Sequence, residues 1–279
     1  MDPVSRLTGQ TGEPANKDRN TKHKTLNTIH LIMNKTFKLT IEYDGTHFCG
    51  WQRQKEDRTV QETIEAAIET ISGNPVSVAG SGRTDSGVHA LGQTASFSCN
   101  TRLDAETLQR GINSLLPDDV VILDCREMDA GFHARYNARS KLYRYRILNR
   151  RIPEALGRYY AWHIKRPLSL DKLSAASSCV IGTRDFKAFE GSGSPRSHTI
   201  RTITRAEWKR EEGGYLIFEI EADGFLRFMV RNIVGTLVEV GSGKRAPGDV
   251  EKIIASGDRS QGGPTAPAHG LFLVNVRYS

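Results

Sequence analysis

The sequence predicts an α+β fold, and three observations carry that prediction. Apolar residues alternate with period two in some stretches and recur at spacings of three and four in others. Between residues 37 and 123 these stretches run strand, helix, strand, strand, helix, strand, the split βαβ order of a ferredoxin-like (RRM-like) unit. From residue 141 a second series repeats the plan with a different helix inventory.

The composition sets the bounds. A chain of 279 residues is long enough for about two domains. No apolar run approaches the roughly 18 residues of a membrane-spanning helix. The net charge of +7 favours a polyanionic partner. Cys49, Cys99, Cys125 and Cys179 are far apart with no C-x-x-C pair, so they read as reduced thiols of a cytoplasmic protein, not as a disulfide or zinc framework. Residues 1–34 contain no aromatic side chain and are rich in Thr, Asn, Lys and Gly, the composition of a disordered basic extension. Leu31-Ile32-Met33 is too short for a signal-peptide core, and Met33 is a second candidate start.

In order along residues 35–140, Phe37, Leu39, Ile41 and Tyr43 alternate as a strand, and Asp44-Gly45 turns the chain. Phe48 to Gln52 forms a compact loop whose aromatics serve packing. Thr59 and Glu62 have the spacing of a capping box. The helix they open has Val60, Ile64, Ala67, Ile68 and Ile71 on one face and ends at Gly73. Val76 and Val78 predict a strand, as do Ala95 and Phe97. Asp104 caps a helix carrying Leu108, Ile112 and Leu115, which Pro117 stops, and Val120 to Leu123 reads as a buried strand. In residues 141–279, a strand runs from Tyr143 to Leu148, and Leu170, Leu173, Ala176 and Val180 predict a helix ended by Gly182. Gly191 to Pro195, beside Arg196 and His198, is a loop. Thr202 to Trp208 and Tyr215 to Ile220 form a hairpin around Gly213-Gly214. Phe225 to Val240 predicts an amphipathic helix with Arg227 and Arg231 on a shared face. A short helix follows Pro247, and Gly270 to Val274 is a closing strand.

Two stretches carry chemistry. The first is Gly80 to Gln93, a loop with four glycines between strands, which means a sharp turn or close approach of the backbone to something. Arg83, Asp85 and His89 sit inside it. It is not a dinucleotide fingerprint, because Asp85 stands where a third glycine belongs, and not a phosphate loop, because Gly87 leads to Val88-His89. Asp85-Ser86-Gly87 spells an aspartic-protease triplet, but that chemistry needs two such carboxylates and no second triplet is present. The second stretch runs from Arg135 to Arg151, with seven basic residues, no acid, and Tyr136, Tyr143 and Tyr145 interleaved. Such a run is ordinarily a solvated face. Basic groups beside aromatic rings also suit RNA, gripping phosphates and stacking bases.

Gly82-Arg83-Thr84-Asp85-Ser86-Gly87-Val88-His89-Ala90 resembles the active-site motif of the tRNA pseudouridine synthase A family. Lys141-Leu142-Tyr143-Arg144-Tyr145 resembles its second motif, Arg227 to Gly235 its third, and Gly270 to Val274 its last. The four stand in the family's order, and the resemblance covers residues 36–278. It implies two ferredoxin-like halves sharing one mostly antiparallel sheet, with the active-site cleft between them. It implies Asp85 as the nucleophile, Arg231 paired with it, Tyr143 against the target base, Arg83 in the space the base vacates, and Leu271 packed on the active-site tyrosine. The implied reaction is isomerisation of uridine to pseudouridine at positions 38, 39 and 40 of the tRNA anticodon stem-loop, by a homodimer and without a cofactor or metal. Two other readings stay open: a catalytically silent RRM-like RNA-binding module, although no intact RNP motif is visible, and a synthase acting on another RNA.

Overall fold

The computed structural model describes residues 33–193 and 198–279. The expected extension, apart from Met33 and Asn34, and Ser194 to Arg196 of the expected loop lie outside the described residues. Strand β1 begins at Met33 and runs to Tyr43 (Met33–Tyr43). It is followed by α1 (Val60–Ser72), β2 (Ala79–Gly80), β3 (His89–Thr101), α2 (Ala105–Leu115) and β4 (Val120–Met128). Then come β5 (Ser140–Leu148), β6 (Trp162–His163), α3 (Leu170–Ser178), β7 (Gly182–Asp185), β8 (Ile200–Glu211) and β9 (Tyr215–Ala222). Helices α4 (Met229–Gly241) and α5 (Asp249–Ser256) precede β10 (Leu271–Arg277).

All ten strands belong to one sheet, with its main order β4-β1-β3-β10-β5-β9-β8-β7; β2 pairs with β3 and β6 with β5. Pairing is antiparallel except at β3–β10 and β5–β6. The closing strand is therefore central. Leu273 lies opposite Ala90 on one side and Tyr143 on the other. Alternation explains the burial. Phe37, Leu39 and Ile41 of β1 and Tyr145 and Ile147 of β5 join Ile64, Ile68, Leu108, Ile233 and Leu237 from the helices in one core. Residues of opposite parity, such as Arg144, Glu219 and Arg205, form a polar face with Arg144 and Arg205 paired to Glu219.

Several expectations are corrected. The capping box does not form. Thr59 is the N-cap of α1, but its buried hydroxyl has no hydrogen-bond partner among the described residues, and Glu62 is exposed. Carbonyls of the preceding loop cap the helix instead, with Val60 N–H donating to Gly50 O and Gln61 N–H to Trp51 O. The strand expected at Val76 to Val78 is confined to Ala79–Gly80. The Val120 strand is an edge strand and only half-buried: Val120 and Ile122 face the core, while Val121 and Leu123 alternate onto the outer face and are exposed. Helix α4 starts at Met229, not Phe225. Phe228 takes a left-handed conformation (φ 60°) and its ring packs over Gly191, where a Cβ would lie 2.3 Å away, while Gly191 N–H binds Arg227 O. That tertiary anchor ends the helix, and Arg227 lies in the turn, off the helical face of Arg231.

Candidate active site

Asp85 sits at the bend of residues 81–88, between β2 and β3. The bend is fixed from both sides, by Gln93 just after it and by β1 and the loop at Phe48 to Trp51. Gln93 is fully buried; it accepts from the Ser81 hydroxyl and donates to Gly82 O at 2.9 Å. The Thr84 hydroxyl bonds Tyr43 Oη at 2.8 Å, and Trp51 N–H donates to Thr84 O at 3.1 Å. Gly50, at φ +92°, lets this approach happen, because a Cβ there would stand 2.7 Å from Thr84 O. Val88 N–H closes the turn on Asp85 O.

The carboxylate so presented accepts from Arg231 Nη1 at 3.1 Å. The two side chains keep 25% and 15% of their surface, so the pair is sheltered but open on one side. Arg231 projects from the first turn of α4, and its Nε donates to Ala266 O at 2.8 Å. Ala266 N–H returns a bond to Arg231 O. Gly235 makes this docking possible: a Cβ there would lie 1.7 Å from Pro264 O. The same segment is tied down by Asn232, whose Oδ1 accepts from Arg259 at 3.0 Å and from the Thr265 hydroxyl at 2.6 Å, and whose Nδ2 donates to Phe189 O.

Burial pushes the Asp85 carboxyl above its ordinary value; Arg231, and more weakly Arg227, pull it back without cancelling the shift. Tyr143 is 7% exposed, with the edge of Phe225 against its ring at 5.1 Å. Burial, followed by the proximity of Tyr43 and Asp85, raises its hydroxyl far above the usual phenol range.

The structure thus brings Asp85 and Arg231 into contact and sets Tyr143 close enough for the Asp85 charge to act on it. Arg83 is exposed, two residues from Asp85, and makes no hydrogen bond or ion pair among the described residues. Leu271 is 5% exposed, but the register sets it opposite Tyr145 and puts Leu273 opposite Tyr143. His89 is buried. Its ring lies against Gly45 N–H and Asp44 Oδ1 at Nδ1 and Tyr159 O at Nε2, each at 3.0 Å. Burial lowers its pKa, opposed by Asp44. Asp44 is also held by Thr46 and Tyr160. Much of the basic run is spent internally: Arg144 on Glu219, Arg146 over the Tyr215 ring and Arg150 toward Glu154.

No signal in the sequence points to the Ala266 carbonyl, a backbone group in a loop of ordinary composition. Gln93 and Asn232 were readable only as polar residues inside apolar patterns. Among the described residues no group of three or more His, Cys, Asp or Glu is placed to hold a metal ion, and no helix is long and apolar enough to cross a membrane.

A protein-family profile described as tRNA pseudouridine synthase matches residues 39–137 and 176–279. The chain belongs to the tRNA pseudouridine synthase family. It is 48% identical over 244 residues to tRNA pseudouridine synthase A of Acetivibrio thermocellus, covering 88% of this chain and 100% of the relative. The proteins of the same name from a Thermoanaerobacter species and from Clostridium botulinum are 46% and 44% identical, over 86% and 88% of this chain and 98% and 100% of theirs. Both stretches of the family match enter the site: the first contains Asp85, the second Arg231 and Ala266.

Proposed function

We propose that Asp85 carries out the bond exchange that turns uridine into pseudouridine, with Arg231 holding its charge and Tyr143 facing the target base. By family membership the chain is an isomerase acting on uridine in tRNA. The observation that carries the assignment of roles is the Asp85–Arg231 pair, which joins residues 146 apart in sequence while leaving the carboxylate partly open.

The carboxylate attacks ribose C1′ and displaces uracil at N1, or takes a ribose proton so that uracil is eliminated. On either route the C1′–N1 bond breaks, the uracil turns over and C5 bonds to C1′, displacing the carboxylate on the first route and, on the second, adding back to C1′ as the ribose proton is returned; the C5 proton passes to water and N1 takes up a proton. Asp85 ends as it began. Nothing is oxidised or reduced. The target base must leave its stack to reach a pocket this sheltered. Tyr143 meets it as a neutral ring and O–H donor, because burial keeps the phenol protonated. Arg83, exposed beside the carboxylate, fills the space that the base leaves in the RNA. Leu271 supports the tyrosine wall from β10.

We further read the fold as two ferredoxin-like halves, residues 35–140 and 141–279, with the cleft between them. Asp85 comes from the first half and Tyr143 and Arg231 from the second. The substrate is the anticodon stem-loop at positions 38, 39 and 40, the assembly a homodimer, and the compartment the cytoplasm. The test uses tRNA transcript tritiated at uracil C5. The native protein releases tritium to water without added cofactor, while Asp85→Asn binds the tRNA and releases none. Release that survives Asp85→Asn overturns the assignment of the carboxylate. Tight binding without release by the native protein makes it a binding module.

A further inference from the structure

Tyr136 is a large aromatic that the fold does not use. It is 77% exposed at the tip of the turn between β4 and β5. The turn itself is rigidly mounted. Ala134 beside it is buried; its N–H donates to Ser96 Oγ at 3.0 Å and its carbonyl accepts from Tyr278 Oη at 2.7 Å. His133 and Asn137 close the turn on each other, His133 N–H to Asn137 Oδ1 at 2.7 Å and Asn137 N–H to His133 O at 3.1 Å. The Tyr136 ring is held against the His133 ring at 4.3 Å between centroids, and the Arg135 guanidinium lies 5.9 Å from its centre. An exposed ring loses little entropy on binding when its backbone is already fixed.

Cations flank both the turn and the active-site loop. The Lys141 side chain runs along that loop, its Cε 3.3 Å from where a Cβ on Gly82 would stand, and Arg83 follows Gly82 in it. Arg135 lies beside the Tyr136 ring in the turn. Positive groups leading to an open aromatic face are what a single-stranded nucleotide segment requires, phosphates on the cations and one base on the ring.

We propose that Tyr136 is a stacking platform for a nucleobase flanking the target uridine, on the RNA strand that passes over Arg83, Lys141 and Arg135. The inference rests on the RNA-modifying reading above and adds a subsite to it. Stacking on one aromatic ring is worth roughly a factor of ten in affinity. Tyr136→Ala weakens binding of the tRNA transcript about tenfold, and the loss falls on KM rather than on kcat in the tritium-release assay. Tyr136→Phe and Tyr136→Trp restore binding to within about twofold. Tyr136→Ala keeps the native salt slope, whereas Arg135→Gln lowers it by about one. Unchanged affinity of Tyr136→Ala overturns the proposal. So does a Tyr136→Phe variant as weak as the alanine, because a ring without its hydroxyl still stacks. A change in sedimentation of Tyr136→Ala without RNA also overturns it, by making the ring a contact between copies of the chain. Failure of the native protein to release tritium strikes the reaction instead, and leaves the ranking of Tyr136 variants in tRNA binding to be read separately.

Discussion

The two partners of the central ion pair are held in different ways. Asp85 is carried by a bend of the backbone, fixed by Gln93 eight residues on and by the loop at Phe48 to Trp51, more than thirty residues back in the chain, folded beneath it with Gly50 making room. Arg231 is carried by a helix, and its guanidinium is aimed by a carbonyl 35 residues away. That carbonyl is aimed in turn by Asn232, Arg259 and Thr265. A carboxylate in a bend needs a backbone that can turn. A long flexible arginine needs a second anchor to lose its freedom, which Ala266 O supplies. Perturbations on the two sides should therefore break different things.

The largest effect is expected where α4 meets the segment carrying that carbonyl. Gly235→Ala puts a Cβ 1.7 Å from Pro264 O, a backbone atom that cannot swing away. The clash should cost about 3 kcal/mol and lower Tm by roughly 10 °C in a thermal melt. Gly248→Ala, with nothing within 4 Å of its Cβ, is the matched control and should leave Tm close to native. A native Tm for Gly235→Ala would mean that the helix and the 262–267 segment are not packed as described.

Arg231→Gln tests the anchor itself. It removes the cation that offsets the burial of Asp85, so tritium release should fall about a hundredfold at neutral pH. The pH profile gives the sharper readout. The native carboxyl is already raised, so the acid limb of kcat/KM lies above the ordinary aspartate value, and activity is lost as pH falls through it. Without Arg231 that limb moves to higher pH. The sign for stability is opposite. A raised carboxyl binds its proton more readily in the fold than in the unfolded chain, so its destabilising contribution is present above the folded pKa and is relieved as pH falls through it. An acid limb that stays in place in Arg231→Gln would disconnect the ion pair from the reaction.

The same contrast explains what could be read in the sequence. Alternation gave β1 and β5, a 3.6 period gave α1, Gly73 ends it at φ +71°, and Asp104 caps α2 by accepting from Thr107 N–H, each a signal spanning a few residues. The glycine-rich bend was legible for the same reason. The start of α4 was not, because Phe228 is held in its left-handed conformation against Gly191, a contact with no local trace. The central place of β10 and the pairing of Arg144 with Glu219, 75 residues away, likewise arise from pairing between distant segments. The arginine run read as a solvated or RNA-facing stretch because the partners of Arg144 and Arg146, Glu219 and the Tyr215 ring, lie on β9.

The smallest predicted effect separates the two kinds of support at the Asp85 side. As an N-cap threonine, Thr59 would ordinarily contribute about 1 kcal/mol through its hydroxyl, and replacing it would lower stability. Here the buried hydroxyl has no hydrogen-bond partner among the described residues, while Gly50 O and Trp51 O accept from the first N–H groups of α1. Thr59→Val keeps the shape and removes a desolvated polar atom, so it should stabilise the fold by up to about 1 kcal/mol, with Tm rising by roughly 2–4 °C and tritium release unchanged. The sign decides between the two accounts. A fall in Tm would restore the hydroxyl as a cap and weaken the argument that backbone alone holds the loop beneath Asp85. A rise would locate the support of the carboxylate in Gly50 and its neighbours, where no side-chain substitution can replace it.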